Sequence, residues 1–398
     1  MKKHTDRAFL AAVVTVLLAV PLMVALWSHK ETSAYYENRS LAARPDLNVR
    51  TLWDGSYGSR FETWYSDHAP ARTTLLKLDT FLQLEVLRRP VVKDTLDAGG
   101  VLLPKLDFDE YTEAAYRSAA VPIVEDHGLL ARHIAENGGT YCFVGFPEQR
   151  VYFEDRFPAY LNSHSAEAAA ADAVFAEALA GQGVDFLDMR QVYEAQGKPE
   201  AYYSAVDHHY TYYGAYAGYR AILEHLAERG IAHPVLTEED IDLVEQPYPY
   251  IGSRNRKLYN LWNNGEKAVI GVQKEPVAFT RTDNGQPSEK PLFVLPAEDY
   301  LPTTYNLYMG GDFGETVIAT GRPELPDALI FGDSFTNALE TLLYTAFDET
   351  RILDLRHYTG GTLKDYITEH QPDIVLCVQN DTFYYTPGGN NAVWEEGV

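Results

Sequence analysis

Two short stretches of this chain hold the residue types that together take a proton off a hydroxyl and stabilise the resulting charge. Ser334 follows Ala328-Leu329-Ile330-Phe331-Gly332-Asp333 and precedes a pattern in which Phe335, Leu339, Leu342, Leu343 and Phe347 recur mostly three or four apart. The apolar run reads as a buried strand, Gly332 as a tight turn and the periodic segment as a helix, so Ser334 falls at a strand-to-helix turn. Such a turn presents a hydroxyl beyond the carboxyl edge of a sheet, against helix amides whose partial positive charge favours a developing anion. A serine there still needs a base. Far upstream, in Ser204-Ala205-Val206-Asp207-His208-His209-Tyr210, two histidines follow an aspartate on a polar run. An imidazole can take the serine proton while Asp207 fixes its tautomer and stabilises the imidazolium, and the order Asp, His, Ser is no obstacle because triads are defined by geometry. Taken singly, Ser334 also reads as a helix N-cap, and Asp207 and His208 as loop-to-helix capping groups before a helix over 212–226.

The two stretches resemble known motifs. Gly332-Asp333-Ser334-Phe335 resembles the nucleophile block of the SGNH hydrolases, and Asp207-His208-His209-Tyr210 the signature of the DHHW family, with Tyr210 standing where that family has tryptophan. The DHHW family is similar to the alginate O-acetylation proteins, SGNH-like domains whose Asp/His segment precedes the Ser segment. Glu37-Asn38-Arg39-Ser40-Leu41, Tyr308-Met309-Gly310-Gly311 and the block from Ile352 to Tyr358 resemble further family blocks in the expected order. The resemblance maps Asp207 and His209 onto the dyad that serves Ser334 and leaves His208 and Tyr210 to orient neighbours or meet substrate. It also makes Asn380, directly after the apolar run 374–378, a candidate oxyanion donor. Gly310 and Gly311 are candidates as well, since glycine permits close backbone approach, with a plain turn as the alternative.

The elements that must position these residues alternate. A helix over 129–135 closed by Gly138-Gly139, a strand over 141–146, an Ala-rich helix from Ser165 to Leu179 and a strand over 184–187 are followed later by strands at 329–331, 352–355 and 374–378. Alternation of this kind builds βαβ units around a parallel sheet. The expected fold is therefore α/β, a flavodoxin-like, SGNH-type parallel sheet. It occupies 96–398, with a mixed insertion over about 236–300 marked by Asn263-Asn264-Gly265 and Asn284-Gly285. Residues 31–95 read as a helical arm. Residues 8–27 carry no charge and lie behind Lys2, Lys3 and Arg7, the pattern of a single-pass membrane anchor, with a cleaved signal peptide as the alternative, so 1–30 are assigned to tail and anchor and the remainder to the outside of the cell.

Composition narrows the partners. Lys and Arg number 33 against 57 Asp and Glu, a net charge of −24, which repels nucleic acid. No metal-ligand spacing, P-loop or dinucleotide-binding glycine turn occurs, and no cofactor is expected. Cys142 and Cys377 sit inside apolar runs and are expected as free buried thiols, with a disulfide as the alternative. The resemblance implies an outward-facing O-acyltransferase that moves acetyl groups to hydroxyls of an exopolysaccharide or wall glycan through an acyl-serine, supplied by a polytopic membrane O-acyltransferase. The same residues with water as acceptor make a carbohydrate esterase, and a non-catalytic glycan-binding protein is the alternative from another class.

Overall fold

The computed structural model describes residues 2–26, 33–37, 39–105, 112–262 and 265–394. The chain divides into two compact units, one of Met1–Lys93 with Arg256–Trp262 and one of Asp94–Asn255 with Asn263–Val398. In the smaller unit the helices Val49–Trp53, Ser56–Asp67 and Arg72–Phe81 follow one another. Asn48 caps the first, accepting the Thr51 N–H while the Thr51 hydroxyl accepts the Asn48 N–H. Glu37 and Arg39 of the first family-like block do structural work here. Arg39 grips the buried carboxylate of Asp67, and Arg72 grips Glu37. The Arg39 hydrogen bond holds Asp67 well below the usual carboxylate range despite its burial. Asn38 lies outside the described residues.

A membrane span was expected over residues 8–27, where the helix Lys2–Leu26 runs. Among the described residues no helix is long and apolar enough to cross a membrane, and Trp27 lies outside them, so the fold gives that expectation no support.

The larger unit is built on an eight-stranded sheet. Its strands, numbered along the chain, are β1 (Thr140–Phe146), β2 (Asp185–Asp188), β3 (Thr280–Asp283), β4 (Gln286–Pro287), β5 (Glu315–Ala319), β6 (Ala328–Gly332), β7 (Glu349–Leu353) and β8 (Ile374–Asn380). In space they run β4-β3-β5-β7-β6-β8-β1-β2. From β7 to β2 all neighbours are parallel, whereas β5, β3 and β4 add antiparallel strands at the β7 edge. The sheet is thus mixed where a parallel one was expected. The cause is local: Asn284 and Gly285 both take positive φ (48° and 71°), the two-residue hairpin turn that folds β4 back along β3. The rest of the insertion holds a second antiparallel pair, Ile241–Pro249 with Lys267–Gln273.

The central parallel strands β6, β8 and β1 are buried along nearly their whole length because helices cover both faces. Register sets Leu329 and Phe331 of β6 beside Val375 and Cys377 of β8, and these beside Tyr141 and Phe143 of β1. With period-two alternation these side chains share one face, where they pack with Leu130, Ile134, Phe175 and Leu179 of helices α1 (Glu113–Glu136) and α2 (Ser165–Gly181). Each such fully buried side chain contributes about 1.5–3 kcal/mol relative to exposure. Helices α3 (Tyr212–Glu228) and α4 (Thr336–Leu343) pack on one another and carry long buried stretches of their own. Cys142 pairs in register with Leu376, and Cys377 with Phe143, so the two thiols point to opposite faces and both are free.

Candidate active site

The turn that carries Ser334 is fixed by β8. Gly332 ends β6 so close to β8 that a Cβ there would stand 1.8 Å from the Val378 carbonyl oxygen, which only glycine avoids. The Asp333 N–H then donates to that same carbonyl at 3.2 Å. The Asp333 carboxylate closes the turn: Oδ1 accepts the Phe335 N–H at 2.8 Å, and Oδ2 accepts both the N–H and the side-chain amide of Asn380, at 2.9 and 2.7 Å. Burial pushes this carboxyl up to about 6 against the pull of those amides and of Arg356. Ser334 follows immediately, partly open to solvent, ahead of α4.

Asp207 and His209 come from the loop before α3. His209 Nε2 lies 2.7 Å from Ser334 Oγ, and Nδ1 lies 2.7 Å from Asp207 Oδ1. An ionised carboxylate can only accept, so Nδ1 carries the hydrogen and Nε2 is left to accept from the serine hydroxyl. Burial opposes the charge on Asp207, yet His209 and His208 outweigh it and hold the carboxyl well below the ordinary value. Burial, and then His208, lower His209 to about 4, although Asp207 pulls the other way. The imidazole is neutral at pH 7, as a base must be.

Two groups that sequence reasoning missed hold this pair. The Ser253 N–H donates to Asp207 Oδ2 at 2.7 Å, and the Ser253 hydroxyl stands 3.3 Å from Oδ1 and 2.7 Å from His208 Nδ1. Ser253 begins the helix Ser253–Lys257, whose start is pressed on the Asp207 loop: a Cβ on Gly252 would meet the Val206 carbonyl at 2.2 Å, and the Arg254 N–H donates to that oxygen. The glycine before a serine was the only available signal. Tyr305 lies flat on the other side, its ring 3.7 Å from the His209 ring and 6° from parallel.

The remaining expected residues are distributed as follows. Asn380 is next to the turn, but its amide is on Asp333 and its Oδ1 accepts the Thr382 N–H, so it braces the turn. Tyr210 is buried and its hydroxyl donates to the Phe335 carbonyl, tying the histidine loop to the serine loop. His208 is one-third exposed beside His209. Gly310 and Gly311 take positive φ (84° and 101°) in a turn where the Gly311 N–H donates to Tyr308 O, and Gly311 lines a small cleft with Gly332 and Asp333. Ligand atoms of Asp207, His208 and His209 come within 4.8 Å of one another, but both ring nitrogens of His209 already face Asp207 and Ser334.

The sequence pattern of the SGNH hydrolase-like domain of the acetyltransferase AlgX matches residues 109–294, a span that contains Asp207 and His209 and stops before Ser334. Among solved structures, PatB1 from Bacillus cereus is similar at 22% identity and a TM-score of 0.65, over 76% of this chain and 99% of that one. PatB1 with a sulfonyl adduct gives 20% identity and 0.63, over 76% and 98%. A DHHW family protein from Eubacterium siraeum gives 20% identity and 0.49, over 76% and 97%. No curated protein matches the sequence. The expected kinship is borne out at this level: residues 109–294 are similar to the SGNH hydrolase-like domain of acetyltransferase AlgX, and the chain shares the fold of PatB1.

Proposed function

We propose that the protein is an O-acyltransferase that moves acetyl groups onto hydroxyls of a glycan by way of an acyl-serine. The observation that carries this reading is the continuous hydrogen-bonded line from Asp207 through His209 to Ser334, with 2.7 Å at each step. Ser334 Oγ attacks the acyl carbonyl carbon of a donor ester while its proton passes to His209 Nε2. The tetrahedral adduct collapses, the donor's oxygen leaves, and it takes that proton from the imidazolium. A sugar hydroxyl then gives its proton to His209 and attacks the acyl-serine, and Ser334 recovers the proton as it departs. The N–H of Ser334 is the proposed oxyanion donor, a kind of contact worth a few kcal/mol. Asp207 accompanies the imidazolium without taking its proton.

The similarity to an acetyltransferase domain supports transfer as the outcome. The basic flank ahead of residues 8–27 supports a membrane-held, outward-facing site, for which a polytopic membrane O-acyltransferase is the proposed donor. The test is incubation with an activated acetyl ester and glycan oligomers, followed by mass spectrometry of protein and sugar. Acetyl on Ser334 and on the glycan, both abolished by Ser334→Ala, is the expected result. Acetate release that glycan neither captures nor alters makes the protein an esterase, and equal chemistry in Ser334→Ala refutes the serine mechanism.

A further inference from the structure

Ser334 and its base belong to different loops, 125 residues apart in the chain, yet their side chains meet at 2.7 Å. The serine is keyed to the sheet by the close fit of Gly332 on β8. The base has no such seat of its own, because residues 204–209 form neither helix nor strand. They close on themselves: the Ser204 N–H donates to the His209 carbonyl at 3.3 Å, and Ser204 Oγ accepts the N–H groups of Val206 and Asp207 at 3.1 and 2.9 Å. A closed loop keeps its shape but not its place.

Gln149 ties the loop to the sheet. It lies three residues past the end of β1, opens the short helix Gln149–Tyr152 and is fully buried. Its backbone N–H donates to the His208 carbonyl at 3.3 Å, and its side-chain amide donates to the Ser204 carbonyl at 2.7 Å, so one residue takes the loop at both ends. Its Oε1 accepts from Arg254 Nε at 3.3 Å. The orientation of the amide is forced, since a carbonyl only accepts and a guanidinium only donates. Arg254 follows Ser253, whose N–H meets Asp207 Oδ2, and the Arg254 N–H itself donates to the Val206 carbonyl. The Arg254 guanidinium also pairs with Glu148, whose other oxygen accepts the Arg150 N–H and so caps the short helix. The base loop is thus held from the end of β1 and from the start of the Ser253 helix, and the Gln149–Arg254 contact joins the two. Because β1 pairs with β8 and β8 with β6, Gln149 and Ser334 are referred to the same parallel strands.

We infer that Gln149 is a positioning residue for the base: it sets where His209 stands relative to Ser334 without touching substrate. The inference rests on the acyl-serine reading, in which a displacement of about 1 Å between reacting groups costs roughly a hundredfold in rate. Two variants test it. Gln149→Leu removes both side-chain bonds, whereas Gln149→Glu keeps an acceptor for Arg254 and, when ionised, cannot donate to the Ser204 carbonyl. Two readouts are taken on the full chain. One is the acylation burst with p-nitrophenyl acetate; the other is the downfield proton resonance of His209 Nδ1–H on Asp207, identified by its absence in His209→Gln, which reports the placement of the base without substrate. Circular dichroism shows which variants are folded. In a folded variant acylation should slow about ten- to a hundredfold with the KM for the ester within twofold of wild type, and the proton resonance should shift upfield or broaden by exchange with water. Acylation within twofold of wild type with an unmoved resonance, in either folded variant, overturns the inference. Gln149→Glu, the closer match in shape, keeps the test open where Gln149→Leu unfolds. A wild-type protein that shows the resonance but forms no acyl-serine removes the transferase reading, and the response of the resonance to the variants then decides the positioning role alone.

Discussion

Replacing Asp207 by asparagine tests the logic of the site more sharply than deleting it. The carboxylate meets a backbone N–H at each end, Ser253 on Oδ2 at 2.7 Å and His209 on Oδ1 at 3.2 Å, and His209 Nδ1 also donates to Oδ1, at 2.7 Å. An asparagine fits the same space, but only one end of its amide accepts. Neither backbone N–H can reverse its role, so the amide oxygen goes to the shorter bond, that of Ser253 at 2.7 Å, and the NH₂ faces Nδ1 at the expense of the 3.2 Å bond from the His209 N–H. That forces Nδ1 to accept and moves the ring hydrogen to Nε2, where it points at Ser334 Oγ, 2.7 Å away. The base then presents a proton instead of a lone pair. A wrong-tautomer imidazole loses ~10⁴ in turnover, about 5.5 kcal/mol at roughly 1.4 kcal/mol per tenfold. The fold should lose little, since the shape and the Ser253 contact persist and the bond given up is the long one from the His209 N–H. Stopped-flow hydrolysis of p-nitrophenyl acetate reads both the acylation burst and the steady rate, and circular dichroism reads the fold. A folded Asp207→Asn protein whose rate stays within tenfold of wild type refutes the tautomer argument. Ser253→Ala is the informative companion: it keeps the backbone N–H and should lose far less.

With His209 lowered to about 4 by burial and then by His208, its neutral form persists as pH falls, so ester hydrolysis should stay level from neutrality to about pH 5 and drop with a midpoint near 4; a midpoint near 6.5 contradicts this. The same depression means that the unfolded chain binds this proton first, so the stability His209 contributes is complete above about pH 6.5 and is lost as pH falls toward 4, as urea midpoints across that range will report. Gly332→Ala puts a methyl 1.8 Å from the Val378 carbonyl and should destabilise by about 1–3 kcal/mol while abolishing the burst; an unchanged urea midpoint contradicts the close approach. Tyr305→Leu removes the ring stacked 3.7 Å from His209, a contact worth about 0.5–1.5 kcal/mol, and should slow acylation about two- to tenfold; a faster enzyme would refute its positioning role.

Much of the site was legible because its residues act through side-chain type. Ser334 after an apolar run and a glycine, and Asp207 two residues before His209, could be paired from sequence, and the structure places the three in hydrogen-bond contact. The central strands were legible for a related reason: strands buried on both faces read as unbroken apolar runs, as 329–331 and 374–378 do. Ser253 was not legible, because it serves Asp207 through a backbone N–H that every residue but proline possesses. Asn380 was found but its tie to the turn was not, since its amide donates to the neighbouring Asp333 carboxylate. The mixed edge of the sheet was missed because β3 and β4 are short and polar, Thr-Arg-Thr-Asp and Gln-Pro, and carry little periodic signal. Only the Asn284-Gly285 turn between them indicated a hairpin, and it does not say which sheet the hairpin joins.

The central claim is that Ser334 carries the acyl group between donor and glycan. Peptide-level mass spectrometry after a rapid quench, with an isotopically labelled acetyl ester as donor, measures this directly. Label is expected on the peptide containing Ser334, lost from it when glycan is added and then found on a sugar hydroxyl, with none of these in Ser334→Ala. Label that reaches the glycan in Ser334→Ala at the wild-type rate would contradict it.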